Sequence, residues 1–489
     1  MTQLNSTSTV RALLLPLLLG TLTAHAAASD LHVDDDGMDY PNADYTSIQD
    51  AVDAGGGTIY VHAGTYTGTG SEVVMINRTV DLIADTTYGD VVIDGQNWRR
   101  CLTVLGRDAD TSTYSINVEG FTIVNGRARF GQAPNSEHGG GIYAEGKVQI
   151  YRCEISSCYS EGNGGGIAVF NPNLYNNTTT SNGYDSYPYT HVRFSGGSVD
   201  NCIADGDGGG IWNWESNLDA VDTKIHLNGA YGRGGGTAGH HWCVHNGSTD
   251  LYGTTEVWGN TAEGDGGGVF VEGNEGFVFF REVDIVSNRS LTGDGGGICL
   301  LNADAIFRTL TLTQNDADQV NAGGSGGNGG GLAARSSIIR PDSNTAFPNT
   351  LLFLENTADC SGGGLFAKNS DIELEAAQFE GNMTLGKGGG MAAISCTDFE
   401  LEEVTFLENI GRVAGGLYLK NTYGTLTDSS VLYNQGFMNG GMNGAGITID
   451  GGSAELVISG TNFWQNTKKH IMKANGGKFT DGTGNSVQP

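Results

Sequence analysis

A run of three glycines followed by one apolar residue recurs along most of this chain, at intervals of about 30 residues. The complete copies are HGGGI at 138–142, NGGGI at 163–167, DGGGI at 207–211 and 294–298, DGGGV at 265–269, NGGGL at 328–332, SGGGL at 361–365 and KGGGM at 387–391. A unit of this length cannot bury its own apolar side, so successive copies must stack on one another. The repeat therefore predicts an elongated solenoid.

A second column of residues lies in phase with the glycines, because in most repeats an asparagine precedes the first glycine of the triplet by six or seven residues. The predicted column consists of Asn260, Asn288, Asn356, Asn382 and Asn409, with looser copies ending in Asn125, Asn201, Asn228, Asn315, Asn434 and Asn466. Turns stacked at the spacing of a sheet, about 4.8 Å, would bring these amides into contact. A buried amide costs about 1–3 kcal/mol unless it is paired, so the column predicts an inward ladder of hydrogen bonds.

The residues after each triplet alternate in polarity, as in Ile142-Tyr143-Ala144, which is typical of strands with one inward face. We therefore predict an all-β solenoid of about 12–14 coils over residues 58–470, with an insertion at 171–190. A helix is predicted within residues 45–54, where a Thr or Ser cap precedes the apolar Ile48, Ala51 and Val52. We expect it to cap the first turn as part of an N-terminal cap at 30–57. Residues 471–489 are the expected C-terminal cap or tail.

The combination of "TIYVHAGTYTG", "VVIDGQ", the FxxN column and the GGG-apolar column resembles the right-handed parallel β-helix (pectate-lyase-like) superfamily. Within it, the phased repeats are similar to those of polymorphic outer-membrane proteins. The resemblance spans roughly residues 31–470 and implies a right-handed parallel β-helix, a fold shared by surface proteins and polysaccharide-acting enzymes. The catalytic motifs of those enzymes are not recognisable here, so no catalytic residue is assigned.

Composition and charge narrow the possible partners. Lys and Arg number 25 against 55 Asp and Glu, a net charge of −30, which disfavours binding to nucleic acid. With 79 glycines but only 8 prolines and no period of three, the chain is not collagen. Residues 1–29 combine Arg11, a short apolar run and Ala24-His25-Ala26, a pattern typical of a secretory signal peptide. We expect a secreted or cell-surface protein whose mature chain has no integral membrane segment.

Eight cysteines are present in a chain expected to be exported, so disulfide bonds are permitted. Cys158 could bond with Cys153 or with Cys202 one repeat later, and both alternatives stay open. Cys299 and Cys396 are equally compatible with isolated thiols in the core.

Aromatic and histidine side chains concentrate in and after the insertion, which makes this region the candidate ligand-binding site. The candidates are Tyr184, Tyr187, Trp212, Trp214, His240, His241 and Trp242. Exposed aromatic rings stack on sugar rings, and insertions of solenoids often project from the binding face. The alternative is that these rings stack within the solenoid wall.

An aspartate precedes the triplet at Asp207, Asp265 and Asp294. Stacked carboxylates repel one another unless a cation or backbone N–H groups neutralise them, so Ca²⁺ is a possible cofactor. Asp34, Asp35 and Asp36 could hold the same ion. The alternative in each case is a turn in which carboxylates accept backbone hydrogen bonds.

The sequence therefore favours an exported, non-catalytic, adhesin-like protein that binds glycans, either a polysaccharide or a cell-surface glycan, or neighbouring cells. A lyase or glycoside hydrolase acting on an acidic polysaccharide is the alternative, with a structural rod of an envelope or matrix as a third hypothesis.

Overall fold

The computed structural model describes residues 30–488 except 56, 107–115, 132–134, 172–189, 241–247, 274–276, 319–326, 343–348, 438–445 and 468. The predicted signal peptide, most of the insertion, and Tyr184, Tyr187, His241 and Trp242 lie outside these residues. The described chain forms a parallel β-solenoid of about 14 turns, which confirms the predicted all-β parallel fold.

Each turn carries strands on up to four faces, and every described strand pairing between turns is parallel. The triplet face, which follows the glycines, contains Glu72–Ile76, Arg100–Gly106, Ile142–Tyr151, Ile167–Phe170, Ile211–Trp214, Thr237–His240, Val269–Glu272, Ile298–Leu301, Leu332–Arg335, Leu365–Lys368, Met391–Ile394, Leu417–Lys420, Ile447–Asp450 and Ile471–Ala474. The second face contains Leu31–Val33, Thr58–Val61, Val80–Ala84, Ile116–Glu119, His191–Ser195, Asn217–Val221, Asp304–Phe307, Ile338–Pro341, Asp371–Glu375, Phe399–Glu402, Tyr423–Thr427, Glu455–Ser459 and Lys478–Asp481. Ile142–Tyr151 continues from the triplet face onto the second face.

The remaining strands complete the turn. The third face contains Gly64–Tyr66, Val91–Asp94, Thr122–Val124, Glu154–Ser156, Ser198–Asp200, Lys224–His226, Thr309–Thr313, Thr350–Leu354, Ala377–Glu380, Thr405–Leu407, Ser430–Leu432, Asn462–Trp464 and Ser486–Gln488. The long strands Ser248–Trp258 and Phe277–Val286 run across both the second and the third face. The fourth face contains Arg127–Ala128, Tyr159–Ser160, Ile203–Ala204, Gly229–Ala230, Thr261–Ala262, Arg289–Ser290, Asp316–Ala317, Thr357–Ala358, Met383–Lys387, Ile410–Val413 and Gln435–Gly436.

The glycine triplet makes the corner between the fourth face and the triplet face. Gly208 adopts φ +70, a left-handed conformation that a side chain disfavours, and similar values recur at the first glycine of the other triplets. A Cβ on Gly209 would lie 2.4 Å from the carbonyl oxygens of Gly229 and Gly235. Glycine is therefore required both by the turn and by the close approach of the next turn.

The amide ladder lies at the corner between the third and fourth faces. Asn288 shows the pattern: its Nδ2 donates to Asn315 Oδ1 at 3.1 Å and to Val257 O at 2.9 Å, while its Oδ1 accepts from Asn260. The same bonds link nine buried residues, Asn228, Asn260, Asn288, Asn315, Asn356, Asn382, Asn409, Asn434 and Asn466. The five core members predicted from sequence are all in the ladder.

Two of the looser predictions are wrong. Asn125 and Asn201 lie one residue before the ladder position, in the left-handed conformation with φ 54 and 51. In the turn that contains Asn201, the ladder position is occupied by Cys202, whose backbone N–H donates to Asn228 Oδ1 at 2.9 Å. Asparagine tolerates the left-handed conformation, so an Asn can serve the bend as well as the ladder.

Apolar side chains fill the interior along the whole solenoid. Phe353, Phe379 and Phe406 pair in register on successive turns, with ring centroids 4.4 and 5.0 Å apart. A second apolar strip lies outside the triplet face and includes Tyr143 and Trp212. The sheet is therefore buried on both sides along this face.

The helix of the described chain is Ile48–Ala54. Ser47 accepts a hydrogen bond from the Asp50 N–H, and Ile48, Ala51 and Val52 are buried. It contacts the first strands of the solenoid, and its role as a cap stays a prediction. No helix among the described residues is long and apolar enough to cross a membrane.

Candidate functional site

Three of the seven predicted ligand-binding residues lie in the described chain, on neighbouring turns of the triplet face. Trp212 and Trp214 belong to Ile211–Trp214, and His240 ends the next strand, Thr237–His240. Trp214 and His240 are register partners, with ring centroids 5.5 Å apart. The structure thus brings these three residues together.

Trp212 does not offer the exposed surface that sugar stacking needs, since only 3% of the residue is exposed. Its ring packs against His138, Phe170 and Trp214, at centroid distances of 4.7, 6.2 and 5.6 Å. The reason is the corner: the first glycine of each triplet folds back over the second residue of the strand, and a Cβ on Gly208 would lie 2.9 Å from Trp212 Cα. Trp212 is therefore part of the wall, as the alternative hypothesis stated, while Trp214 is only partly buried.

The residues that precede the triplets form a second ladder, outside the triplet face. A side-chain acceptor on one turn receives the backbone N–H of the equivalent residue on the next turn. The bonds run from Asn163 N to His138 Nδ1, Asp207 N to Asn163 Oδ1, Arg233 N to Asp207 Oδ1, Asp294 N to Asp265 Oδ1, and Asn328 N to Asp294 Oδ1, at 2.7–3.0 Å. Aspartate at this position thus joins one turn to the next.

The predicted metal ligands Asp207, Asp265 and Asp294 do not converge on one point, because the turn of Arg233 separates the first from the other two. Asp294 instead pairs with Arg335 and accepts from Asn328. A Ca²⁺ site at these positions stays a prediction without a common ligand geometry.

Within the described residues, the carboxylates that do cluster are those of Asp34, Asp35 and Asp36, with ligand atoms within 4.8 Å of one another. Asp34 already accepts from the backbone N–H groups of Asp36, Gly37 and Tyr40. These bonds are those of the hydrogen-bonded turn named above as the alternative.

Four charged side chains meet beside Trp214, and we call them the ionic cluster: Asp207, Arg233, His240 and Glu272. Arg233 Nη1 lies 2.8 Å from Glu272 Oε2, and its Nη2 lies 3.2 Å from Asp207 Oδ2. The His240 ring lies between the same carboxylates, with Nε2 3.0 Å from Asp207 and Nδ1 3.4 Å from Glu272. Only 3% of the His240 side chain is exposed.

The four groups hold one another in their charged forms. Burial raises the pKa of Asp207 and of Glu272, but contact with His240 and Arg233 outweighs burial and leaves both values lowered. Burial lowers the pKa of His240, but its bonds to Asp207 and Glu272 outweigh burial and leave it raised. The pKa of Arg233 is raised in the same way, against the effect of burial.

When His240 is protonated, the ionic cluster is balanced, with two carboxylates against one guanidinium and one imidazolium. Both ring nitrogens of His240 face carboxylates, so a protonated His240 has no lone pair with which to accept a proton from a substrate. The cluster can orient the Trp214 ring and the adjoining chain, but the described residues do not present it as a general base.

A different surface, on the third face of the same turns, presents an open aromatic ring. Residues at equivalent positions form two outward columns there: Glu256 pairs with Asp284, and His226 pairs with Trp258, which pairs with Val286. The rings of His226 and Trp258 stack at 4.4 Å with an interplanar angle of 3°. One face of the indole is therefore covered.

The opposite side of Trp258 borders a recess of about 280 Å³, which we call the Trp258 recess. It is lined by Trp258, Val286, Glu256, Asp284 and Ser287. Valine is too small to cover the indole in the way that His226 does. An aromatic wall, two carboxylates and a hydroxyl thus surround a space open to solvent.

The Trp258 recess is not among the sites predicted from the sequence, although the alternation of polar and apolar residues in its two strands indicates which side chains point outward. Glu256-Val257-Trp258 and Asp284-Ile285-Val286 alternate strictly, with Val257 and Ile285 buried, so the flanking side chains must point outward. Pairing the two segments required the register between turns, which the repeat length alone does not supply because the turns differ in length.

Comparison with known proteins bears on the fold alone. No protein-family model matches the chain, and no curated protein matches its sequence. Among solved structures it is similar to the A-module of the Azotobacter vinelandii mannuronan C-5 epimerase AlgE6, with 10% identity, a TM-score of 0.30, and coverage of 90% of this chain and 94% of that one.

Two further solved structures show a comparably low similarity, with TM-scores of 0.30 or less. The Agl-KA catalytic domain matches with 12% identity and a TM-score of 0.30, covering 88% of this chain and 64% of that chain. The tailspike protein of E. coli bacteriophage HK620 in complex with a pentasaccharide matches with 10% identity and a TM-score of 0.22, covering 88% and 74%. At these scores the likeness carries no functional argument, and the β-solenoid assignment rests on the strand pairing itself.

Proposed function

We propose that this protein is an exported, non-catalytic glycan-binding β-solenoid, and that the Trp258 recess is a site at which it contacts the sugar. The single observation that carries the proposal is the Trp258 ring, stacked on one side and bordering an open recess on the other. Export is supported by the pattern of residues 1–29.

The recess suits one pyranose ring. The apolar face of a sugar can lie against the indole, while carboxylates and a hydroxyl accept or donate hydrogen bonds to its hydroxyl groups. Its volume of about 280 Å³ lies just below the roughly 300–1,000 Å³ of pockets that enclose drug-sized ligands. A longer glycan would therefore contact the recess with one residue and extend along the solenoid.

The charge of the site selects among glycans. Glu256 and Asp284 line the recess, and the chain carries a net charge of −30, so a uronate polymer is repelled. Lys224 lies 4.0 Å from Glu256 and offsets only part of this charge. We expect neutral glycans, or glycans with free amino groups, to bind in preference to acidic ones.

The test is a binding experiment with Trp258→Ala on arrays of neutral, amino and uronate glycans, followed by calorimetry on any glycan bound. Loss of a central aromatic contact costs more than about 1 kcal/mol, so affinity should fall about fivefold or more. The matched control is Trp98→Ala, because Trp98 is 55% exposed and stacks under Arg129 away from the recess. Equal affinity of the Trp258 variant and the parent would refute this site.

The enzyme hypothesis makes a separate prediction. A lyase or hydrolase would release unsaturated products or reducing ends from a polysaccharide, and uronate polymers are the substrates to test. The balanced ionic cluster supports the binding hypothesis, because its only imidazole is held between carboxylates. A structural rod would give neither binding nor turnover, which distinguishes the third hypothesis from both.

A further inference from the structure

Three buried thiols occupy the N-terminal end of the amide ladder. Cys158 and Cys202 take the position that Asn228 and its successors hold in later turns, and Cys101 lies beside them. The Cys158 Sγ accepts from the Gly126 N–H at 3.4 Å, as an asparagine Oδ1 does further along. Thiols have thus replaced carboxamides at the same corner.

Cys158 and Cys202 are equivalent residues of successive turns. The residues that follow them, Tyr159 and Ile203, are register partners in adjacent parallel strands. Such strands lie about 4.8 Å apart, and disulfide bonds join Cα atoms about 4.4–6.8 Å apart. In the folded chain both thiols donate to backbone carbonyl groups, Cys158 Sγ to Ser156 O at 3.3 Å and Cys202 Sγ to Asp200 O at 3.2 Å.

Cys299, for comparison, is the register partner of Phe270 and Ala333 on the neighbouring turns, not of another cysteine. Cys153 Sγ lies near the carbonyl oxygens of Val118 and Tyr151, and Cys396 Sγ near that of Ile394. Cys153 and Cys158 are both free thiols, like the remaining described cysteines. The register of successive turns therefore singles out Cys158 and Cys202 as one pair of equivalent positions.

We propose that Cys158 and Cys202 are a disulfide-forming pair that links two successive turns covalently. The bond must form before these turns close, because both residues are 0–2% exposed in the folded chain.

The oxidant is a disulfide donor, either a thiol oxidase protein or glutathione disulfide. The Cys158 thiolate attacks a donor sulfur, which forms a mixed disulfide and releases one donor thiolate. The Cys202 thiolate then attacks Cys158 Sγ and displaces the second donor thiolate. Both cysteines lose their protons, the protein is oxidised by two electrons, and the donor disulfide is reduced to two thiols.

The experiment counts thiols in the full chain, expressed with residues 1–29 in an exporting host and purified without reductant. Alkylation under denaturing conditions should modify six of the eight cysteines, and the other two only after reduction. Tryptic mapping should then find residues 153–193 joined to residues 194–224. The variant Cys153→Ala should keep this link, which places it on Cys158.

The control variants Cys299→Ala and Cys396→Ala should each keep the disulfide, while Cys202→Ala should abolish it and leave seven modifiable thiols. Eight free thiols in the parent would overturn the proposal, and so would a disulfide that includes Cys101 or Cys243 in place of Cys202. A second measurement does not depend on export: the reduced, unfolded chain refolded with glutathione disulfide should form the same link. Glycan binding is measured separately, so failure here and failure of the proposed function are distinguishable.

Discussion

Replacement of Asn356 by alanine tests the amide ladder where it is fully buried. Asn356 Oδ1 accepts from both the backbone N–H and the Nδ2 of Asn315, each at 3.0 Å. Its Nδ2 donates to Leu312 O at 2.8 Å and to Asn382 Oδ1 at 3.0 Å. The substitution removes all four bonds at once.

The loss of folding stability in Asn356→Ala can be estimated from the polar groups that lose their hydrogen-bond partners. In Asn356→Ala the backbone N–H of Asn315 and one N–H of its side-chain amide lose their acceptor in the buried interior. At about 1–3 kcal/mol for each orphaned group, the turn loses roughly 2–6 kcal/mol of stability. Because each turn of a solenoid interacts only with its neighbours, the loss should be concentrated in the turns on either side.

Hydrogen exchange read by mass spectrometry is the suitable assay, because local opening in a solenoid is not an all-or-none event. Backbone amides near Asn315 and Asn382 should exchange at least about 30-fold faster, since 1.4 kcal/mol corresponds to a factor of ten. Amides in distant turns should be unchanged. The matched control is Asn369→Gly, which changes an exposed residue whose φ of 51 glycine adopts without strain.

A destabilisation of less than about 1 kcal/mol around Asn356 would refute the reasoning, because even one orphaned buried amide should cost that much. Equal effects in all turns would contradict the nearest-neighbour picture.

Two further predictions concern the corner and the ionic cluster. Gly209→Ala places a Cβ 2.4 Å from two carbonyl oxygens, so the turn must shift, and thermal denaturation should show a loss of about 1–3 kcal/mol or more; an unchanged melting temperature would contradict the packing. His240 has a pKa raised above 6.5, so its contribution to stability is complete below that pH and is lost as pH rises through the raised value. Asp207 and Glu272 have lowered pKa values, so their contributions are present above their ordinary values of 3.8 and 4.5 and are lost as pH falls through the lowered ones. Denaturation measured across pH should show that His240→Gln removes the loss of stability at alkaline pH. If the variant still loses stability at alkaline pH, another titrating group is responsible.

The repeat was sufficient to predict the class of fold and the inward amide ladder. The spacing of the two motifs carried this information, since Asn356 and Asn382 each lie six residues before a glycine triplet. A buried amide and a bare backbone corner each tolerate few substitutions, so their spacing is visible in a single sequence.

The spacing of the motifs gave a wrong position for a residue type that suits two neighbouring positions of the turn. Asn201 was placed in the ladder, yet it occupies the bend, and Cys202 takes the ladder position. For Trp212 the sequence leaves a sugar-binding surface and a place in the solenoid wall both open, and the glycine corner that folds over it decides for the wall. Neither outcome follows from the identity of the residue, because both depend on how one turn packs against the next.

The sequence by itself determined the local structure of each turn: a corner without side chains, a buried amide and strands with one apolar face. Only the tertiary structure decided which side chains from different turns meet, as when His226, Trp258 and Val286 form one column. The physical reason is that inter-turn register depends on the length of every intervening turn, and these lengths vary along the chain. The ionic cluster, the thiol column and the Trp258 recess all arise from that register.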